Sequence, residues 1–112
     1  MRLADIRREI DRLDQQLLEI LGRRFELVRL LGELKAGADM QVRDAVREAS
    51  LLRARRQSGR RFKLDQALVS SLFREILKQS VRVQSLASSK RRRARTDDRR
   101  RTRTRQELKS ET

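Results

Sequence analysis

Apolar residues recur at helical spacing over residues 3–35: Leu3, Ile6, Ile10, Leu13, Leu17, Ile20, Leu21, Val28 and Leu31. At about 100° per residue they form one stripe along a long amphipathic helix. Gly22 and Gly32 interrupt it at a cost of up to ~1 kcal/mol each relative to Ala; close helix packing would account for them. A loop over residues 36–43, with Gly37, should follow. A second helix is expected from near Asp44 to about Gln57, stopped by Ser58-Gly59. Asp65 is suited to cap a third helix. That helix should run to about Ala87, with Leu68, Val69, Leu72, Phe73, Ile76, Leu77 and Val83 as its apolar stripe. Beyond Ser88 the periodicity is lost, so residues 1–88 read as a helical domain and residues 89–112 as a basic, disordered tail.

The first helix is too long for its size of domain. About 33 residues at ~1.5 Å each make roughly 50 Å, against ~30 Å for a small domain. Its stripe runs the whole way, so the far half needs another surface. The simplest solution is a second, antiparallel copy: an all-α fold, a three-helix protomer in an intertwined two-fold homodimer. The alternative is a helix that bends or ends near Gly22 and folds back.

Composition narrows the chemistry. The chain has 112 residues, one domain's worth, with 37% hydrophobic and 41% charged residues. It contains neither Cys nor His, which excludes disulfides, thiolate nucleophiles, histidine general bases and His-ligated zinc. No Asp/Glu spacing suggests a carboxylate-only metal site, so no cofactor is expected. No apolar run approaches the ~20 residues of a membrane span, and the amphipathic N-terminus lacks a secretory h-region. The expected compartment is the cytoplasm. Net charge is +14, yet residues 90–105 alone hold ten Lys/Arg against Asp97 and Asp98, a net of +8.

Two cations stand where the first helix should be apolar. Arg24 lies four residues after Ile20, and Lys35 four after Leu31. Both project from the middle of the stripe, and an isolated buried charge costs several kcal/mol or more. On the third helix Ser80 and Gln84 fall on or beside the stripe of Ile76. At the start of the second, Asp44, Arg47 and Glu48 are spaced i, i+3, i+4, and Leu51 continues their face. Arg7 sits at the edge of the first stripe. Taken singly, each has an ordinary reading: a snorkelling cation, a tolerated small core residue, a helix cap, a solvated face. Jointly they make a donor-rich set on three helices, suited to a small dianion bearing hydroxyl groups.

The run Arg7-x-x-Ile10-Asp11-x-x-Asp14, then Arg24, Lys35, Val42-x-Asp44-x-x-Arg47-Glu48 and Ser80-x-x-x-Gln84, resembles the all-helical chorismate mutase family. The resemblance covers residues 3–87 with no insertion needed. It implies a three-helix protomer in an intertwined dimer with shared active sites. It also implies the rearrangement of chorismate to prephenate, in aromatic amino-acid or related secondary-metabolite biosynthesis. In that family the arginine matching Arg7 comes from the other protomer and, with the lysine matching Lys35, binds the enolpyruvyl carboxylate. The residues matching Arg24 and Ser80 hold the ring carboxylate. Those matching Lys35 and Gln84 donate to the ether oxygen. The glutamate matching Glu48, with the main chain around Asp44, takes the ring hydroxyl, and the arginine matching Arg47 lines the pocket. Leu51, Leu77 and Val81 match apolar wall positions. Ala45 stands where many members carry Pro, and the basic tail lies outside the pattern.

Two relatives on the same fold compete: 4-amino-4-deoxychorismate mutases, and isochorismate-pyruvate lyases, which usually lack the residues matching Glu48 and Ser80. A rival of another class is a nucleic-acid-binding helical protein acting through its tail. The tail has no aromatic residue for stacking and no recognition helix is evident, so nucleic acid is not the expected partner, nor is a membrane.

Overall fold

A computed structural model describes residues 1–110 and holds three helices: α1 (Leu3–Gly37), α2 (Ala45–Arg61) and α3 (Gln66–Ser110). There is no strand among the described residues. Both α1 and α2 pack against α3, which serves as the scaffold.

α1 begins where the Asp5 carboxylate accepts from the Arg2 backbone N–H at 3.2 Å. It runs through Gly22 without a break, so the fold-back alternative does not occur. It ends in a Schellman arrangement. Asp39 takes the left-handed conformation (φ 52°), its N–H donates to Ala36 O, and the Met40 N–H donates to Lys35 O at 2.8 Å. α2 starts on Asp44, whose side chain accepts from Arg47 N at 3.0 Å. The Asp65 carboxylate accepts from Ala67 N at 3.3 Å and caps α3.

Two sequence expectations need correcting. Ser58-Gly59 does not stop α2. Gly59 is buried inside the helix, and a methyl placed on it would lie 2.7 Å from Val69 Cγ2. The glycine serves close packing; the stop is a second Schellman turn in which Lys63 adopts φ 56° and the Leu64 N–H donates to Gly59 O. The tail expected to be disordered is instead helical from Ser89 to Ser110, continuous with α3; Glu111 and Thr112 lie outside the described residues. Residues 89–110 contain no Gly or Pro and are rich in Arg, which favours helix. Thr96, Thr102 and Thr104 return their hydroxyls to carbonyls four residues back, each at 3.0 Å. Arg103 pairs with Glu107 at 3.1 Å.

Val28, Gly32 and Ala36 of α1 are buried, as are Ile76, Ser80, Gln84 and Ser88 of α3. A methyl on Gly32 would lie 2.6 Å from Gln84 O and 2.7 Å from Gln84 Cα, so here the two backbones nearly touch. Gly22 has open space around it. The protomer measures 81 × 34 × 15 Å, with a radius of gyration of 21.6 Å; a compact chain of this length has about 13 Å. Leu3, Ile6, Ile10, Leu13, Leu17 and Ile20 are each 45–64% exposed. α1 thus outruns the bundle, as its length foretold. No helix among the described residues is long and apolar enough to cross a membrane.

Candidate active site

The near-contact at Gly32 brings the cations of α1 onto the polar groups of α3. Arg24 Nη1 donates to Ser80 Oγ at 2.9 Å, while the same hydroxyl donates to Ile76 O at 2.6 Å. Lys35 Nζ donates to Gln84 Oε1 at 2.9 Å and to the Val42 carbonyl at 2.8 Å. Ser80 and Gln84 are buried, and Arg24 and Lys35 are half-buried. The cations therefore turn inward.

These groups line a cavity of about 150 Å³, walled by Arg24, Val28, Leu31, Lys35, Val42, Asp44, Arg47, Glu48, Leu51, Leu77, Ser80, Val81 and Gln84. Seven of the eight residues singled out from sequence meet there. The eighth, Arg7, is exposed on the first turns of α1. It precedes Arg24 by 17 residues, which is roughly 25 Å along the helix. It does not reach the cavity of its own protomer. An outer cavity of about 360 Å³ shares Glu48, Leu77 and Val81 and adds Arg43, Leu52, Arg74 and Lys78. Arg43 Nε lies 3.6 Å from Glu48 Oε2 at this mouth.

The charge balance of the inner cavity is cationic. No ion pair among the described residues involves Arg24 or Lys35. Burial, and secondarily the Arg55 guanidinium, lowers the Arg24 pKa from its ordinary value. Arginine nonetheless stays protonated at any accessible pH, so Arg24 keeps its positive charge at the cavity wall. Gln84 spends its carbonyl on Lys35, which leaves its Nε2 free to donate. Lys35 has three N–H bonds and uses two within the protein, so one remains. Each thus keeps an unused donor, and both residues line the cavity. Among the described residues no cluster of His, Cys, Asp or Glu could hold a metal ion.

Three participants went unseen in the sequence. The Val42 carbonyl anchors Lys35, and a main-chain acceptor has no signature. Arg43 was readable only as the neighbour of the Asp44 cap. Arg55 places its guanidinium 5.7 Å from the Phe73 ring centre, and its charge acts on Arg24. Its position seven residues after Glu48 puts it on the same α2 face, a signal that was available.

The chorismate mutase type II family model matches residues 6–85. The chain belongs to that family. The match contains every cavity-lining residue of both compartments and ends one residue after Gln84. Among relatives, the chain is 32% identical over 78 residues to the T-protein of Enterobacter agglomerans, covering 70% of this chain and 21% of that one. It is 35% identical over 82 residues to the bifunctional chorismate mutase/prephenate dehydratase of Escherichia coli K12, covering 73% and 21%. It is 35% identical over 75 residues to the isochorismate pyruvate lyase of Pseudomonas aeruginosa PAO1, covering 67% and 73%. The chain thus spans about a fifth of the length of the first two family relatives.

Proposed function

We propose that the protein is a chorismate mutase, converting chorismate to prephenate at the cavity between α1, α2 and α3. The observation that carries this reading is the convergence of two unpaired cations, Arg24 and Lys35, on Ser80 and Gln84 opposite Glu48, inside the family-matched segment.

The rearrangement is pericyclic: a C–O bond breaks as a C–C bond forms, with no proton transfer and no covalent intermediate. It therefore suits a site without His or Cys. Two tasks remain. The substrate must be folded so that the bond-forming carbons meet, and clamping both carboxylates does this. Arg24 with Ser80 takes the ring carboxylate; Lys35 and the partner's Arg7 take the enolpyruvyl carboxylate. The second task is to stabilise negative charge on the ether oxygen as its bond to the ring breaks. The spare N–H groups of Lys35 and Gln84 meet that charge in a site fixed before the reaction begins. Glu48 and the main chain at Asp44 accept from the ring hydroxyl, and Arg47 lines the wall. The exposed stripe of α1 supports a second, antiparallel copy, which would carry Arg7 to this cavity from outside the protomer.

The test offers chorismate, aminodeoxychorismate and isochorismate separately to purified protein, with product identification. Prephenate from chorismate is the expected result. Release of pyruvate from isochorismate, with no turnover of chorismate, would favour a second reading. That reading draws on the lyase relative, of which the chain covers 73%. Glu48 and Ser80, both lining the cavity, weigh against it.

A further inference from the structure

α3 does not stop where the family match stops. Beyond residue 85 it carries Arg91 and Arg95 back to the end of α1. Gln84 and Arg95 are eleven residues apart, three helical turns, so both point from one face of α3. Arg95 Nη2 donates to Ala36 O at 3.2 Å and lies 3.7 Å from Asp39 Oδ1. The Arg91 guanidinium covers Gly37: a methyl on that glycine would meet Arg91 Nη2 at 3.5 Å. Two cations thus sit on the carbonyl end of a 35-residue helix, where the helix dipole favours them.

What they grip is the turn that encloses Lys35. The Lys35 main chain accepts from Met40 N, and its ammonium donates to Val42 O. Asp39, between them, holds a left-handed conformation that a non-glycine residue adopts only at a cost. Arg95 binds this residue and the preceding Ala36 at once. The contacts form one connected path: Arg95 to Ala36 and Asp39, through the 40–42 turn to Lys35, and from Lys35 to Gln84.

We propose that Arg95, supported by Arg91, is a positioning residue that latches the 38–44 loop, and thereby fixes Lys35, the Val42 carbonyl and the start of α2 with Arg47 and Glu48. The helical extension beyond the family segment is then part of the enzyme's working structure. The consequence for catalysis rests on the chorismate reading above; the latch itself does not.

The experiment uses full-length Arg95→Ala, Arg95→Lys, Asp39→Asn and the Arg95→Ala/Asp39→Asn double variant, with Arg101→Ala as a basic-tail control that makes no such contact. Asparagine keeps the left-handed preference of position 39 and removes only the charge. Amide exchange over residues 38–43 should quicken by about tenfold in Arg95→Ala, while residues 66–88 and the melting temperature stay unchanged, since a pair whose Asp39 side chain is 84% exposed adds little to global stability. With chorismate, kcat/KM should fall by roughly five- to tenfold in Arg95→Ala, be partly restored in Arg95→Lys, and fall no further in the double variant than in Arg95→Ala. Arg101→Ala should match wild type. Unchanged exchange in Arg95→Ala, or an equal loss in Arg101→Ala, overturns the latch. If exchange responds as expected but wild type turns over no chorismate, the latch stands and the chorismate reading fails.

Discussion

Gly32→Ala should separate activity from stability. A methyl there would lie 2.6 Å from Gln84 O and 2.7 Å from Gln84 Cα, against ordinary contact from 3.4 Å. The shortfall is nearly 1 Å, and the obstacle is main chain, which cannot rotate aside. α1 and α3 must part by about that much. Overpacking of this kind costs ~1–3 kcal/mol, while Ala in a helix recovers up to ~1 kcal/mol relative to Gly. The net loss of stability is therefore about 0–2 kcal/mol, or at most on the order of ten degrees in melting temperature. The site has no such offset. Arg24 and Lys35 ride on α1, Ser80 and Gln84 on α3, and their hydrogen bonds are 2.9 Å long. A misplacement of about 1 Å in a positioned site costs on the order of a hundredfold in rate. Circular dichroism melts and the loss of chorismate absorbance, run on the same preparation, measure both. Gly22→Ala is the control, since nothing lies within 4 Å of it; it should gain ~0.5–1 kcal/mol and keep full activity. A Gly32→Ala protein with wild-type kcat/KM would refute both the α1–α3 register and its link to catalysis.

Lys35→Ala and Gln84→Ala should each fold and lose ~3 kcal/mol of transition-state stabilisation, about a hundredfold in kcat; wild-type turnover in either, in a steady-state assay, contradicts the mechanism. Gln84→Glu replaces a neutral donor with one that donates only when protonated, and the neighbouring Lys35 favours the carboxylate. Its activity should therefore be present at acid pH and fall as pH rises, whereas wild type shows no such loss; parallel pH profiles would contradict this. Arg7→Ala and Arg24→Ala, each inactive alone, should regain partial activity when mixed, because a mixed dimer holds one intact site; no recovery after subunit exchange is verified by mass spectrometry would remove the partner's Arg7 from the mechanism. Ser88 Oγ is buried without a hydrogen-bond partner, so Ser88→Ala should raise stability by about 1 kcal/mol in a urea titration.

Much of this was legible in the sequence because the α1 stripe has a fixed period. A charge on a 100° spiral can be assigned to a face before any coordinates, and Arg24 and Lys35 stood out against the face they occupy. Ser80 and Gln84 were readable for the same reason. Arg7 was legible as a residue but not as a location, because a helix wheel gives the angle and not the protomer. Gly59 misled: the same residue type ends helices and permits close packing, and only Val69 decides between them. α2 in fact ends at Arg61, and the turn that stops it is made by Lys63, a residue without a stop signature. The tail misled in a different way. Charge density without apolar periodicity reads as disorder, yet arginine is a good helix former, and nothing local announces that Arg95 finds a carbonyl 59 residues earlier in the chain.

A body only 15 Å deep has little interior of its own. Should the two-fold assembly form, acquiring shape and finding a mate become a single equilibrium. Thermal midpoint and specific activity would then both climb with protein concentration, and dilution alone would switch the molecule off.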